Sequence, residues 1–319
     1  MKFLLFLSSL ISFSSYAYDY GLYIPKGLED KENLPLVVML HGCTQNDKDF
    51  MELTRIKDEA DKRGFIVLAP NKGRRIFPPS NPLLCWSWYD LASNERAPKR
   101  GDLKALMDII NEVKINYKID EHKIFLAGFS AGAVMSSIMA SCYPDLFTGV
   151  AIHAGIPYKG LDSYLSSRIN LEQFFQENQN LVSLNEIKQK LTDEQNRRIQ
   201  NLQKKSFECA KEVLDKKLQY ISIFQGEEDR IVLPRSGANV FFQFLPQNLN
   251  DSELLIFSRI SGQEGKLSFR KIEYRGKIDL QLIQIEKMGH SWSGGKSGFS
   301  FSDPHGPDAT ELMLNQFGL

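Results

Sequence analysis

The sequence predicts an α/β fold built on a mostly parallel, doubly wound sheet. Three observations carry that prediction. Short apolar runs recur at 36–40, 65–69, 123–127, 150–152, 220–224 and 280–285, and such runs fit strands buried on both faces. Segments of helical spacing alternate with them, at 48–63 and at 102–113, where Leu103, Leu106, Met107 and Ile110 share one face. Finally, the run at 123–127 passes through Gly128-Phe129-Ser130-Ala131-Gly132 into a helical pattern with Val134, Met135 and Ile138. Strands alternating with helices imply parallel crossovers.

In chain order, 18–26 reads as an edge strand or a hairpin entering the fold, and Pro70 stops the strand at 65–69. Residues 71–100 form a long irregular stretch containing Cys85-Trp86-Ser87-Trp88-Tyr89; long loops of this kind commonly carry function. Residues 254–257 and 271–274 look like a strand pair, and Pro307 starts a final helix. His41, Ser130, His153 and Gln225 all fall at strand ends, so they should share the carboxyl-end face of the sheet. Residues 161–217 break the rhythm. They are rich in Gln, Asn, Lys and Glu with apolar residues at helical intervals, and they read as a helical insertion capping the site or as a solvated excursion away from it. The remainder, 18–319, reads as a single domain.

Lys+Arg and Asp+Glu are equal at 39 each in 319 residues. No global field therefore recruits nucleic acid or an anionic membrane. The N-terminal stretch has a basic Lys2, an apolar segment from Phe3 to Phe13 too short to span a bilayer, and Ser15-Tyr16-Ala17 as a small-x-small site. It reads as a cleavable export signal over 1–17 with a mature start near Tyr18, and no stable membrane anchor is expected. Export makes Cys43, Cys85, Cys142 and Cys209 disulfide candidates. Their spacing fits no metal site, and neither metal nor cofactor is expected.

Gly128 to Gly132 matches G-x-S-x-G in the strand–turn–helix setting that a nucleophile elbow requires. The serine sits on a tight turn, the glycines let strand and helix pass closely, and the helix N-terminus offers N–H groups to a developing oxyanion. A serine hydroxyl needs a neighbouring base. In elbow folds the acid and then the histidine follow the serine. Of five histidines, His41 and His122 precede Ser130, and His153 lies on the next strand, before any acid strand. His290, in the loop Met288-Gly289-His290-Ser291-Trp292-Ser293-Gly294-Gly295, is the expected base; His305, in a turn, is its rival. The acid belongs after the 220–224 strand, where Asp229 is favoured over Glu227 and Glu228. Ala131 supplies one oxyanion N–H, and Cys43 or Thr44 the other. His41 is expected to prop that turn through a hydrogen bond.

These motifs, with His41-Gly42-Cys43-Thr44-Gln45, Cys85-Trp86-Ser87-Trp88 and Ser302-Asp303-Pro304-His305-Gly306, resemble the polyhydroxybutyrate depolymerase-like esterases of the α/β-hydrolase fold. The resemblance runs from about Tyr18 to the C-terminus, apart from the insertion. It implies a secreted or periplasmic serine esterase acting on short 3-hydroxyacyl polyesters or on feruloyl and acetyl esters of plant polysaccharides. It also implies Ser130, Asp229 and His290 as the triad. Two departures stand out: Ala133 where the family often has glycine, and Gln225 where it often has histidine. Cys43 and Cys85 lie in motifs the resemblance places at the site and are expected to pair. A second pair, Cys142 with Cys209, competes with the reading of Cys142 as a buried free thiol.

The expected function is hydrolysis of carboxylic esters through an acyl-enzyme, on short 3-hydroxyacyl esters or oligomers. Trp86, Trp88 and Trp292 are expected to line the substrate pocket. The nearest alternative is a feruloyl or acetylxylan esterase; a non-catalytic exported binding protein with this fold and a serine peptidase are the others.

Overall fold

The computed structural model describes residues 19–319 except 73–82, 91–94, 161–180, 184, 185, 187, 188, 190, 211, 214, 247–253 and 264. The expected signal segment, 1–17, lies outside the described residues, as does part of the insertion.

Among the described residues one ten-stranded sheet organises the chain. Its strands are β1 (Tyr20–Tyr23), β2 (Leu36–Leu40), β3 (Ile66–Pro70), β4 (Ile124–Phe129), β5 (Gly149–His153), β6 (Leu181–Ser183), β7 (Tyr220–Gly226), β8 (Leu254–Ile260), β9 (Phe269–Tyr274) and β10 (Asp279–Ile285). The order is β1-β3-β2-β4-β5-β7-β10-β9-β8-β6. From β3 to β10 the pairs are parallel, while β1 and the three strands beyond β10 are antiparallel. The parallel centre is buried on both faces, as its continuous apolar runs require.

Alternation along β2 shows the double winding. Leu36, Val38 and Leu40 face a core shared with α3 (Gly101–Asn116), α4 (Ala131–Cys142) and α6 (Arg235–Phe244). Val37 and Met39 face the opposite core, formed with α1 (Asp47–Thr54), α2 (Ile56–Arg63) and α7 (Ala309–Phe317). Successive strand residues point to opposite faces, so each helix layer receives every second side chain.

Two features differ from the sequence reading. The helical stretch at 48–63 is two helices, because Arg55 takes a left-handed conformation (φ 57°). The carbonyls this break exposes are satisfied from the C-terminal region: Lys296 N–H donates to Leu53 O at 2.8 Å and Thr310 Oγ1 to Thr54 O at 2.6 Å. The insertion is not purely helical, since β6 pairs with β8 at the sheet edge. Its described helix, α5 (Asp193–Lys205), carries a Thr192–Gln195 capping box and buries Ile199 and Leu202. Gln203 Nε2 ties α5 to Leu245 O at 2.9 Å, next to the end of α6.

The two disulfides, Cys43–Cys85 and Cys142–Cys209, use all four cysteines. Cys142 is therefore not the free thiol that its helical position suggests. The 3₁₀ turn at Glu208–Ala210 packs against α4 and places Cys209 beside the α4 C-terminus, a proximity that no local pattern in the sequence records. Among the described residues no helix is long and apolar enough to cross a membrane.

Candidate active site

The site forms at the carboxyl ends of β2, β4, β5 and β7. Ser130 follows β4 directly, with φ 54° and ψ −120°, an uncommon conformation for a residue with a Cβ. Close approach on both sides enforces this turn. A Cβ on Gly128 would lie 2.3 Å from Gly132 O, and one on Gly132 would lie 2.1 Å from Leu40 O. Strand, turn and helix fit together here only with glycine at both positions.

His290 stands in the loop after β10, packed against Phe129 with ring centroids 4.9 Å apart. Its Nε2 is 2.9 Å from Ser130 Oγ, and its Nδ1 is 2.7 Å from Asp229 Oδ2. With the proton on Nδ1, the ring donates to the carboxylate and accepts the serine hydroxyl. Asp229 is buried. Its Oδ1 accepts the N–H groups of Ile231 (2.8 Å) and Val232 (2.9 Å), which fix the carboxylate plane. The rival acids point elsewhere: Glu227 pairs with Arg270, and Glu228 is exposed. His305 is also remote, with Nδ1 2.9 Å from Gly265 O on the surface. A hydroxyl joined in this way to an imidazole and a buried carboxylate can give up its proton as it attacks.

The turn after β2 presents backbone N–H groups. Gly42 N–H donates to Gln45 Oε1 (2.8 Å), Thr44 N–H to Leu83 O (2.6 Å) and Gln45 N–H to Gly42 O (3.4 Å). Of the two residues the sequence left open, Thr44 thus spends its N–H on the long loop, and Cys43 is the one whose N–H no described residue takes. Ala131 opens α4, where the first N–H groups lack intrahelical acceptors.

Buried polar contacts hold this turn. His41 donates from Nδ1 to Gly42 O (2.7 Å) and accepts Lys72 N–H at Nε2 (3.1 Å). Burial pushes its pKa down to about 4, so the ring is neutral. Trp86 Nε1 donates to His41 O at 2.8 Å. Below it, the buried Lys72 ammonium meets both Asp102 oxygens at 2.6 and 2.7 Å, and Ser87 N–H donates to Asp102 Oδ2 at 2.6 Å. A buried pair of this kind adds little net stability, but losing either partner would leave the other's charge buried and uncompensated. No local pattern in the chain foretells it: Lys72 and Asp102 are separated by the long irregular loop.

Of the three tryptophans expected in the pocket, two are elsewhere. Trp86 is fully buried beneath the β2 turn. Trp292 is also fully buried, stacked on His153 at 4.8 Å with its Nε1 donating to Thr310 Oγ1 at 3.1 Å. Each indole N–H finds an acceptor in the core, which fixes the ring inward. Trp88 does line a cavity of about 300 Å³, together with Tyr89, Val134, Ile138, Ile156 and Tyr158. Val134 begins the next turn of α4, its N–H bonded to Ser130 O at 3.0 Å. Among the described residues no His, Cys, Asp and Glu cluster is suited to a metal.

Comparison with known proteins agrees with this architecture. An acetyl xylan esterase from Aspergillus awamori superposes with a TM-score of 0.61 at 17% identity, covering 95% of this chain and 94% of that one. The fold is the α/β-hydrolase fold. Residues 18–173 match the family described as Esterase PHB depolymerase, so the resemblance read from the motifs is borne out over that part of the chain. This chain is 32% identical over 145 residues to a poly(3-hydroxyalkanoate) depolymerase C from Paucimonas lemoignei, covering 46% of this chain and 33% of the relative. It is 30% identical over 138 residues to a probable acetylxylan esterase A from Aspergillus fumigatus, covering 43% and 34%. The match spans about a third of the length of these relatives. Within the α/β-hydrolase fold, the strained serine after β4 and the loops after β7 and β10 are the positions an elbow, an acid and a base require.

Proposed function

We propose that this chain is a serine esterase that hydrolyses carboxylic esters through an acyl-enzyme. The observation that carries the reading is the relay from Ser130 Oγ to His290 Nε2 (2.9 Å) and from His290 Nδ1 to Asp229 Oδ2 (2.7 Å), on a serine held at φ 54°. His290 takes the hydroxyl proton as Ser130 attacks the ester carbonyl. Asp229 holds the ring in the required tautomer and stabilises the imidazolium. The N–H groups of Ala131 and Cys43 receive the oxyanion. The tetrahedral intermediate collapses to the acyl-enzyme as His290 protonates the departing alcohol. Water, deprotonated by the same imidazole, then releases the acid.

For substrate we favour short 3-hydroxyacyl esters or oligomers. α4 rises about 1.5 Å per residue, so Val134 and Ile138 lie about 6 and 12 Å from Ser130 along its axis, and the cavity they line stands beside the elbow. A cavity lined by both has room for more than an acetyl group. The likeness to a poly(3-hydroxyalkanoate) depolymerase supports this. Acetylxylan or feruloyl ester hydrolysis is the second reading, favoured by relatives with those names at 30% and 29% identity. We also place the mature protein, beginning near Tyr18, in an oxidising compartment, a setting that suits two disulfides.

The test is a fluorophosphonate probe followed by a panel of p-nitrophenyl esters, hydroxybutyrate oligomers, acetylated xylan and feruloylated sugars. Labelling at Ser130 with turnover of the oligomers is expected. An unlabelled, correctly folded protein would instead favour a binding role for the same fold.

A further inference from the structure

The cavity against Val134 and Ile138 of α4 is aromatic and aliphatic for most of its wall, yet Lys159 and Lys205 also line it. Their ammonium groups are not equivalent. Lys159 Nζ is 3.1 Å from Glu208 Oε2 and lies over the Tyr158 ring. Lys205, the last residue of α5, is half-buried, and its Nζ donates to a neutral acceptor, Lys159 O, at 3.1 Å. Among the described residues two cations thus share one carboxylate here, and Glu95, an exposed acid, acts on the Tyr158 hydroxyl only through its charge. An ammonium has three donors. The bond to Lys159 O fixes the direction of Lys205 and leaves two of them for a ligand.

Resting on the esterase reading, we propose that this pocket takes esters carrying a free carboxylate at the end remote from the scissile bond, and that Lys205 binds that carboxylate. A neutral chain would fill the walls formed by Trp88, Val134, Ile156 and Tyr158 but leave the Lys205 charge facing apolar surface. A chain ending in a carboxylate fills the same walls and gives the charge a partner, and such a hydrogen bond is stronger than a neutral one. Oligomers of hydroxy acids have this form, with one free carboxylate per chain, as do half-esters of dicarboxylic acids. The preferred cut is then close to the acid end of an oligomer rather than in the middle of a long polymer.

The experiment compares the free acid of a 3-hydroxybutyrate trimer with its methyl ester. Binding is measured by calorimetry in the Ser130→Ala protein, and kcat/KM in the protein with Ser130 intact. The free acid is expected to bind about fivefold more tightly. That advantage should disappear in Lys205→Gln, survive in Lys205→Arg, and shrink as salt is raised. Equal binding of acid and methyl ester, or a preference that persists in Lys205→Gln, overturns the proposal. A preference that depends on Lys205 without turnover of either compound upholds the anionic pocket and overturns only the esterase reading.

Discussion

Gln225 Nε2 lies 3.3 Å from Asp229 Oδ2, the same oxygen that faces His290, and donates to Val232 O at 2.9 Å. The carboxamide thereby braces both ends of the acid loop from β7. An amide has no charge to lose across the working pH range. Gln225→Leu should leave Val232 O unpaired and loosen Asp229, at a cost of about 1–3 kcal/mol. We expect kcat on p-nitrophenyl butyrate to fall about tenfold or more with little change in KM. A KM effect alone would count against a positioning role.

Members of a relay act as a unit. Ser130→Ala and His290→Ala should each remove activity by several orders of magnitude, and the double variant should lose hardly more than either. His305→Ala is the control: its ring contacts Gly265 O on the surface, and rates should stay near normal. Near-normal turnover by His290→Ala would overturn the assignment of the base.

The two disulfides should separate stability from rate. They span 42 and 67 residues of sequence, and each is worth about 4 kcal/mol in the chain-entropy model. Only Cys43–Cys85 joins the turn that bears the Cys43 N–H to the long loop. Cys85→Ser should therefore lower both Tm and kcat, whereas the Cys142→Ala/Cys209→Ala pair should lower Tm with kcat preserved. Paired thermal melts and ester kinetics distinguish these outcomes.

Acid should destabilise the protein through two buried imidazoles. His41 is held at a pKa of about 4 and His153 at about 3, in both cases mainly by desolvation. His153 accepts Ser293 N–H at Nε2 (3.0 Å) and is stacked on Phe224 and Trp292. In the unfolded chain both rings take up protons near pH 6.5. Below that pH the unfolded state binds protons that the native state refuses. Their contribution is therefore whole above pH 6.5 and declines steadily towards pH 4. The slope is up to about 1.4 kcal/mol per pH unit for each ring. Urea titrations from pH 7.5 to 4 should show it, and His41→Asn should reduce it by roughly half. An unchanged slope would mean that other groups set the acid limit.

Trp86 and Trp88 are two residues apart and should behave differently. Trp86→Phe removes the 2.8 Å bond to His41 O and should lower Tm. Trp88→Ala opens the cavity wall and should raise KM for butyrate or longer esters more than for acetate. Equal effects on all chain lengths would remove Trp88 from the pocket.

The sequence by itself determined the strand and helix alternation and the elbow, because both depend on short-range chemistry. Five-residue apolar runs bounded by turn residues are too short for buried helices and fit buried strands, and Gly128 and Gly132 are needed wherever backbones pass this closely. The order of Ser130, Asp229 and His290 was legible for the same reason: each follows a core strand. What the tertiary structure decided are relationships between distant segments. It left Cys43 rather than Thr44 as the turn residue whose N–H no described residue takes, because Leu83 O accepts from Thr44. It turned Trp86 and Trp292 inward, because their indole N–H groups find His41 O and Thr310 Oγ1 in the core. It paired Cys142 with Cys209 and brought Lys205 to the cavity lined by Val134 and Ile138. A hydrophobic pattern records which face of an element is buried; it carries no record of which distant side chain or carbonyl will occupy the space opposite.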